Sequence, residues 1–101
     1  MKKTKQKIPK WFEGVIYKKG TEVQNPFSGE TYELNAIELS IYDFVIGANL
    51  YLEHAYDNNL KPTPKLKKIT QDLYKGLNWF KEYNAEAYMI IFIIAIISVR
   101  K

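Results

Sequence analysis

Asn35-Ala36-Ile37-Glu38-Leu39-Ser40-Ile41-Tyr42-Asp43-Phe44-Val45-Ile46-Gly47-Ala48-Asn49-Leu50-Tyr51-Leu52-Glu53-His54-Ala55-Tyr56-Asp57 is the stretch whose reading decides the fold. Asn35 with Glu38 three residues on is a capping-box-like start, each side chain able to bond the other's backbone N–H, and it predicts a helix over residues 36–57. On a helical wheel Ile37, Ile41, Phe44, Val45, Ala48, Leu52 and Ala55 make the main apolar face. Leu39, Tyr42, Ile46 and Leu50 form a second stripe nearly opposite. A helix apolar on two sides is either central in its own domain or shared with a second chain. In 101 residues, enough for a single modest core, the second option carries weight. Gly47 costs about 1 kcal/mol relative to Ala inside a helix, so it is expected to permit close approach by another element, with Gly76 as a counterpart at a helix crossing.

Downstream, Asp57-Asn58-Asn59-Leu60-Lys61-Pro62 is polar and turn-forming, and Thr63-Pro64 supplies an N-cap and a proline at the first helical position. The spacing predicts a second helix over residues 63–83, with Leu66, Ile69, Leu73, Leu77 and Phe80 on its core stripe. Lys61, Lys65, Lys68, Asp72 and Lys75 lie on the other side, continued by Trp79 and Tyr83. Two large aromatics on a lysine face either cover a returning C-terminal segment or form a contact site. Asn84-Ala85-Glu86 caps a third helix, expected over residues 85–99, although six isoleucines between positions 88 and 99 also suit a strand.

Upstream, Thr21-Glu22-Val23-Gln24 and Glu30-Thr31-Tyr32-Glu33-Leu34 flank Asn25-Pro26-Phe27-Ser28-Gly29, a hairpin over residues 20–34 closed by a type I turn with a bulge. Val23, Tyr32 and Leu34 share its inward face, which needs helices to pack on because a lone two-stranded ribbon is marginal in water. Trp11-Phe12 is expected to dock on those helices. The fold class is therefore α+β, an N-terminal hairpin on a bundle of about three helices. Residues 11–101 form one domain, and residues 1–10 form a basic, partly disordered arm.

That arm accounts for the net charge of +4: Lys2, Lys3, Lys5, Lys7 and Lys10 stand there with no acid, and the remaining ten cations face eleven acids. Such an arm can contact phosphate by counterion release, alone or with the lysine stripe of the second helix. The aromatics are not interleaved as a stacking platform, so nucleic-acid binding ranks last among the readings. No cysteine is present, which excludes disulfides and thiolate chemistry and mildly favours a reducing cytoplasm. The basic N-terminus is followed by Pro9, Lys10, Glu13 and Gly14 in place of the apolar core a secretory signal needs.

Catalytic chemistry finds no set of residues. His54 is the single histidine, and Ser40 lies about 21 Å from it along the same predicted helix. Glu53 and Asp57 share a face while His54 points elsewhere, so the three read as a solvated helix end. Gly14, Gly20, Gly29, Gly47 and Gly76 are dispersed and form no phosphate loop or dinucleotide fingerprint. The expectation is a protein that is not an enzyme, with no cofactor, metal or small-molecule substrate.

The run Tyr88-Met89-Ile90-Ile91-Phe92-Ile93-Ile94-Ala95-Ile96-Ile97-Ser98-Val99 is too apolar for water, yet as a helix it reaches only about 18 Å against a hydrocarbon core of about 30 Å. Extended back to Trp79 and on to Lys101 it would cover about 33 Å, at the cost of placing Lys81, Glu82, Asn84 and Glu86 in the first third. It is expected to pack on the first two helices, with any surplus buried between subunits; membrane association through residues 88–101 is the alternative.

Asn25-Pro26-Phe27-Ser28-Gly29 followed by Leu34-Asn35-Ala36-Ile37-Glu38-Leu39-Ser40-Ile41-Tyr42-Asp43 resembles small proteins of unknown role encoded in phage genomes, marine ones in particular. The likeness continues through Lys75-Gly76-Leu77-Asn78-Trp79-Phe80 and Asn84-Ala85-Glu86-Ala87-Tyr88-Met89, and the isoleucine-rich ending departs from it. The resemblance implies an accessory or virion-associated protein, in the host cytoplasm or the virion, and brings no activity. Together these readings point to a homo-oligomer or protein-binding module whose interface draws on Leu39, Tyr42, Ile46, Leu50, Trp79, Tyr83, Ile90, Ile93, Ile94 and Ile97.

Overall fold

The computed structural model describes residues 6–25, 28–59 and 61–92. Two antiparallel strands, β1 (Thr21–Gln24) and β2 (Thr31–Leu34), precede helices α1 (Ala36–Asp57), α2 (Pro64–Tyr83) and the short α3 (Ala85–Ala87), which runs on as a π-helical turn over Tyr88–Phe92. The chain is thus α+β, a hairpin followed by three helices, as its sequence pattern indicates.

The helix starts follow the capping chemistry read from the sequence. Asn35 Oδ1 accepts from Glu38 N at 2.8 Å while Glu38 Oε1 accepts from Asn35 N at 3.0 Å, so the capping box of α1 is complete. Thr63 Oγ1 accepts from Leu66 N at 3.1 Å, with Pro64 in the first turn of α2. Between the two helices Asn59 adopts φ +54°, a left-handed conformation that asparagine tolerates better than most residues. In the hairpin Gly29 takes φ +80°, and its N–H donates to Asn25 O at 2.9 Å. Val23 pairs with Tyr32 and Thr21 with Leu34, which puts Leu34 fully inside and Val23 and Tyr32 half-buried against the core.

Ile41, Val45, Leu52, Leu73, Phe80, Ile91 and Phe92 form the centre of that core. The α1–α2 crossing lies at Gly76, where a Cβ would come within 2.5 Å of Val45 Cγ2. Gly47, expected to be the matching point on α1, is solvent-exposed, and a Cβ there would meet nothing within 4 Å. The crossing uses a glycine on one helix and a β-branched side chain on the other.

The segment before β1 is a strap over the helices. Trp11 and Phe12 both pack on the Phe44 ring, with centroids 5.9 and 5.8 Å away, and Tyr17 N donates to Ser40 Oγ at 2.9 Å. The strap begins inside the stretch assigned to the basic arm. Gln6 donates from Nε2 to Glu38 Oε2 at 2.9 Å and accepts from Asn35 Nδ2 at 2.9 Å, so from Gln6 onward the arm belongs to the fold.

Glu38 is the hub. Its buried carboxylate accepts from the α1 N-cap, from Gln6 and, at 2.8 Å, from Asn84 Nδ2. Asn84 Oδ1 in turn accepts from Ala87 N and from the Tyr32 hydroxyl. One carboxylate thereby joins the strap, the head of α1 and the α2–α3 junction, with β2 attached through Tyr32. Burial, with the nearby Glu86 and Glu38 charges adding to it, holds the Tyr32 phenol above its ordinary ionisation range.

The third helix departs from its expected form. Regular α-helix lasts three residues before Tyr88–Phe92 widens into a π turn, whose Ile90 carbonyl accepts from Asn25 Nδ2 at 2.8 Å. A buried side chain from the hairpin tip thus satisfies a carbonyl of the π turn, a link the sequence does not announce. Helix, and not strand, holds through Phe92; residues 93–99 of the expected helix lie outside the described residues.

Candidate self-association surface

The second stripe of α1 divides into a covered part and an open part. Leu39, Tyr42 and Ile46 are half-buried and pack against the core, and the Tyr42 ring lies 5.6 Å from that of Phe92. Burial, then the neighbouring Asp43 charge, raises the pKa of the Tyr42 phenol. Leu50, on the same stripe one turn beyond Ile46, is 59% exposed. The N-terminal half of the stripe is therefore half-buried against the core, with Tyr42 beside Phe92 of the π turn, and its other end stands in solvent.

Trp79 does not form part of any surface. It is 7% exposed, packed edge-on to Phe80 at 5.2 Å and against Tyr83 at 5.1 Å, so the aromatic pair at the end of the lysine face closes the chain's own core. Tyr83 and Ile90 are half-buried against the same cluster. Ile93, Ile94 and Ile97 lie outside the described residues, as do Lys2, Lys3 and Lys5.

Three lysines of the α2 stripe have partners in the fold. Asp72, expected on a solvated face, is buried, and it holds Lys68 Nζ at 2.7 Å and Lys75 Nζ at 3.8 Å. The Lys68 ammonium ionises above its ordinary range, chiefly because of the Asp72 hydrogen bond. Lys65 Nζ stands 5.6 Å over the Tyr51 ring. Only Lys7 and Lys10 of the arm's five cations are described, both exposed.

No acid–base or nucleophilic pair assembles among the described residues. Ser40 Oγ donates to Ala36 O and accepts from Tyr17 N, which occupies it structurally. No three potential metal ligands come together among the described residues. An open depression of about 320 Å³ between the end of α1 and the start of α2 is lined by Tyr56, Pro62, Leu66, Lys67, Thr70 and Gln71, a set without a carboxylate or imidazole.

What the helical wheel overlooks is the line Asp43, Gly47, Leu50 and His54, all four exposed on one side of α1. The 4-3-4 spacing is visible in the sequence, but an acid, a glycine and a histidine do not register in a search for apolar stripes. Val15 and Ile16, each 62% exposed on the strap, are a second apolar feature that periodicity does not reveal, because the segment has no regular structure.

No family model, curated protein or solved structure matches this chain.

Proposed function

We propose that this chain is a small non-catalytic interaction protein that self-associates through the outer side of α1. The observation that carries the reading is Leu50. It continues a stripe whose earlier members are half-buried against the chain's own core, it is 59% exposed, and the adjacent Gly47 leaves room for another backbone to approach. Three polar side chains that could have served chemistry are engaged in holding the fold: Glu38 in capping, Ser40 on the strap, Asp72 with its two lysines. The resemblance to phage-encoded small proteins is the ground for assigning it an accessory or virion-associated role.

Sedimentation of the full chain across a wide concentration range tests this. A monomer–dimer equilibrium is the expected result, shifted to monomer by Leu50→Lys with an unchanged circular-dichroism spectrum. A wild-type chain that stays monomeric at every concentration would contradict the reading. Among the described residues no helix is long and apolar enough to cross a membrane; a monomer that nonetheless co-floats with lipid vesicles would favour membrane association in place of self-association.

A further inference from the structure

Resting on that reading, we infer that the partner is a second copy of this chain and that the two α1 helices meet antiparallel about a twofold axis on the exposed side of α1, level with the Ala48–Asn49 peptide. The exposed side of α1 is self-complementary. A twofold contact requires each residue to face one that sits equally far on the other side of the axis. An axis at that point places Gly47 opposite the second copy's Leu50, and Leu50 opposite its Gly47. It also places Asp43 opposite His54, and His54 opposite Asp43. These four residues form one exposed line along α1, and one axis matches all four at once.

Each pairing is physically sound. Gly47 has no side chain, and a Cβ built there touches nothing within 4 Å, so the exposed Leu50 of a second copy has a gap to enter. This gives a mid-helix, solvent-facing glycine a role that the chain's own packing does not supply. Asp43 and His54 lie about 16 Å apart along the helix, at the two ends of the contact, where a polar rim belongs. The ring of His54 suits that rim. Its Nδ1 lies 3.3 Å from Asn58 Nδ2, and with Nδ1 accepting from that amide Nε2–H is the group able to donate to a carboxylate. Asp43 already neighbours the Tyr17 hydroxyl, and a carboxylate has lone pairs for a further donor. A parallel pairing fails the same test, because it sets Asp43 against Asp43 and leaves each Leu50 facing another Leu50.

Introduced thiols decide the register, since the chain has no cysteine of its own. Gly47→Cys and Leu50→Cys proteins are each confirmed folded by circular dichroism, then oxidised separately and as an equimolar mixture. The mixture is expected to yield mainly the mixed disulfide, and each protein alone to cross-link poorly. Predominant Gly47→Cys homodimers would overturn the antiparallel register while leaving self-association standing; no dimer of the wild-type chain by sedimentation would remove both. A charge exchange provides the second arm. Asp43→Arg and His54→Asp are each expected to weaken dimerisation by about tenfold, and the double variant to regain most of it. A double variant no better than the singles would overturn the Asp43–His54 pairing.

Discussion

Two glycines in neighbouring helices carry opposite consequences for stability, and the difference is geometric. At Gly47 the backbone is helical and the surroundings are empty, so Gly47→Ala is expected to stabilise the monomer by about 0.5–1 kcal/mol through the reduced freedom of the unfolded chain. Gly76 faces Val45 Cγ2, and Gly76→Ala is expected to cost about 1–3 kcal/mol by forcing α1 and α2 apart. Urea denaturation at low protein concentration checks both, and equal effects at the two positions would contradict the assignment of the crossing. Glu38 is the third residue with an outsized role. Replacing it by Ala removes the reciprocal half of the capping box and leaves the amides of Gln6 and Asn84 without their acceptor, at an expected cost of about 1–3 kcal/mol. Glu38→Gln retains the shape but presents only one carbonyl oxygen, so it should fall between Ala and the wild type in the same denaturation series.

At the scale of elements, the caps and periodicities that depend on a few adjacent residues are legible in the sequence. Asn35 with Glu38 opens α1, Thr63-Pro64 opens α2, and Gly29 bends the hairpin, because each is a local bond or dihedral that its own neighbours satisfy. Features set by distant partners are not. The π turn over Tyr88–Phe92 has the same composition as an ordinary apolar helix, and its carbonyl at Ile90 is satisfied by Asn25, sixty-five residues away. Asp72 and Trp79 look solvated on a wheel dominated by lysines, yet both are buried, Trp79 against Phe80 and Tyr83 and Asp72 beside Lys68 and Lys75. Phe92 tests whether the end of the described chain is core: it is fully buried beside the rings of Tyr42, Phe80 and Tyr88. Phe92→Ala should cost about 3–5 kcal/mol. A loss below about 1 kcal/mol would mean that the π turn does not complete the core.

For the whole molecule, two half-buried tyrosines set an alkaline limit. Tyr42 and Tyr32 hold their protons more tightly in the fold than the ordinary value of 10.0, each through burial first. Because the folded-state values are the raised ones, the stabilisation is complete below the unfolded value and is lost as pH rises through the folded ones. Urea midpoints should therefore fall above the normal tyrosine range, in step with a late fraction of the tyrosine absorbance titration. A flat profile there would contradict the burial of these phenols. The proposed self-association surface is only half legible for a related reason: hydropathy finds Leu50, whereas its proposed complement in Gly47, Asp43 and His54 becomes visible only when the exposed side of α1 is set against a second copy of itself.

Backbone amide shifts followed on dilution test that claim most directly, since they report which residues leave an interface without altering any of them. Concentration-dependent shifts centred on residues 43–54 of α1 are expected, with the strap at Val15 and Ile16 unaffected. Shifts centred on the strap, or none at all across the accessible concentration range, would contradict it.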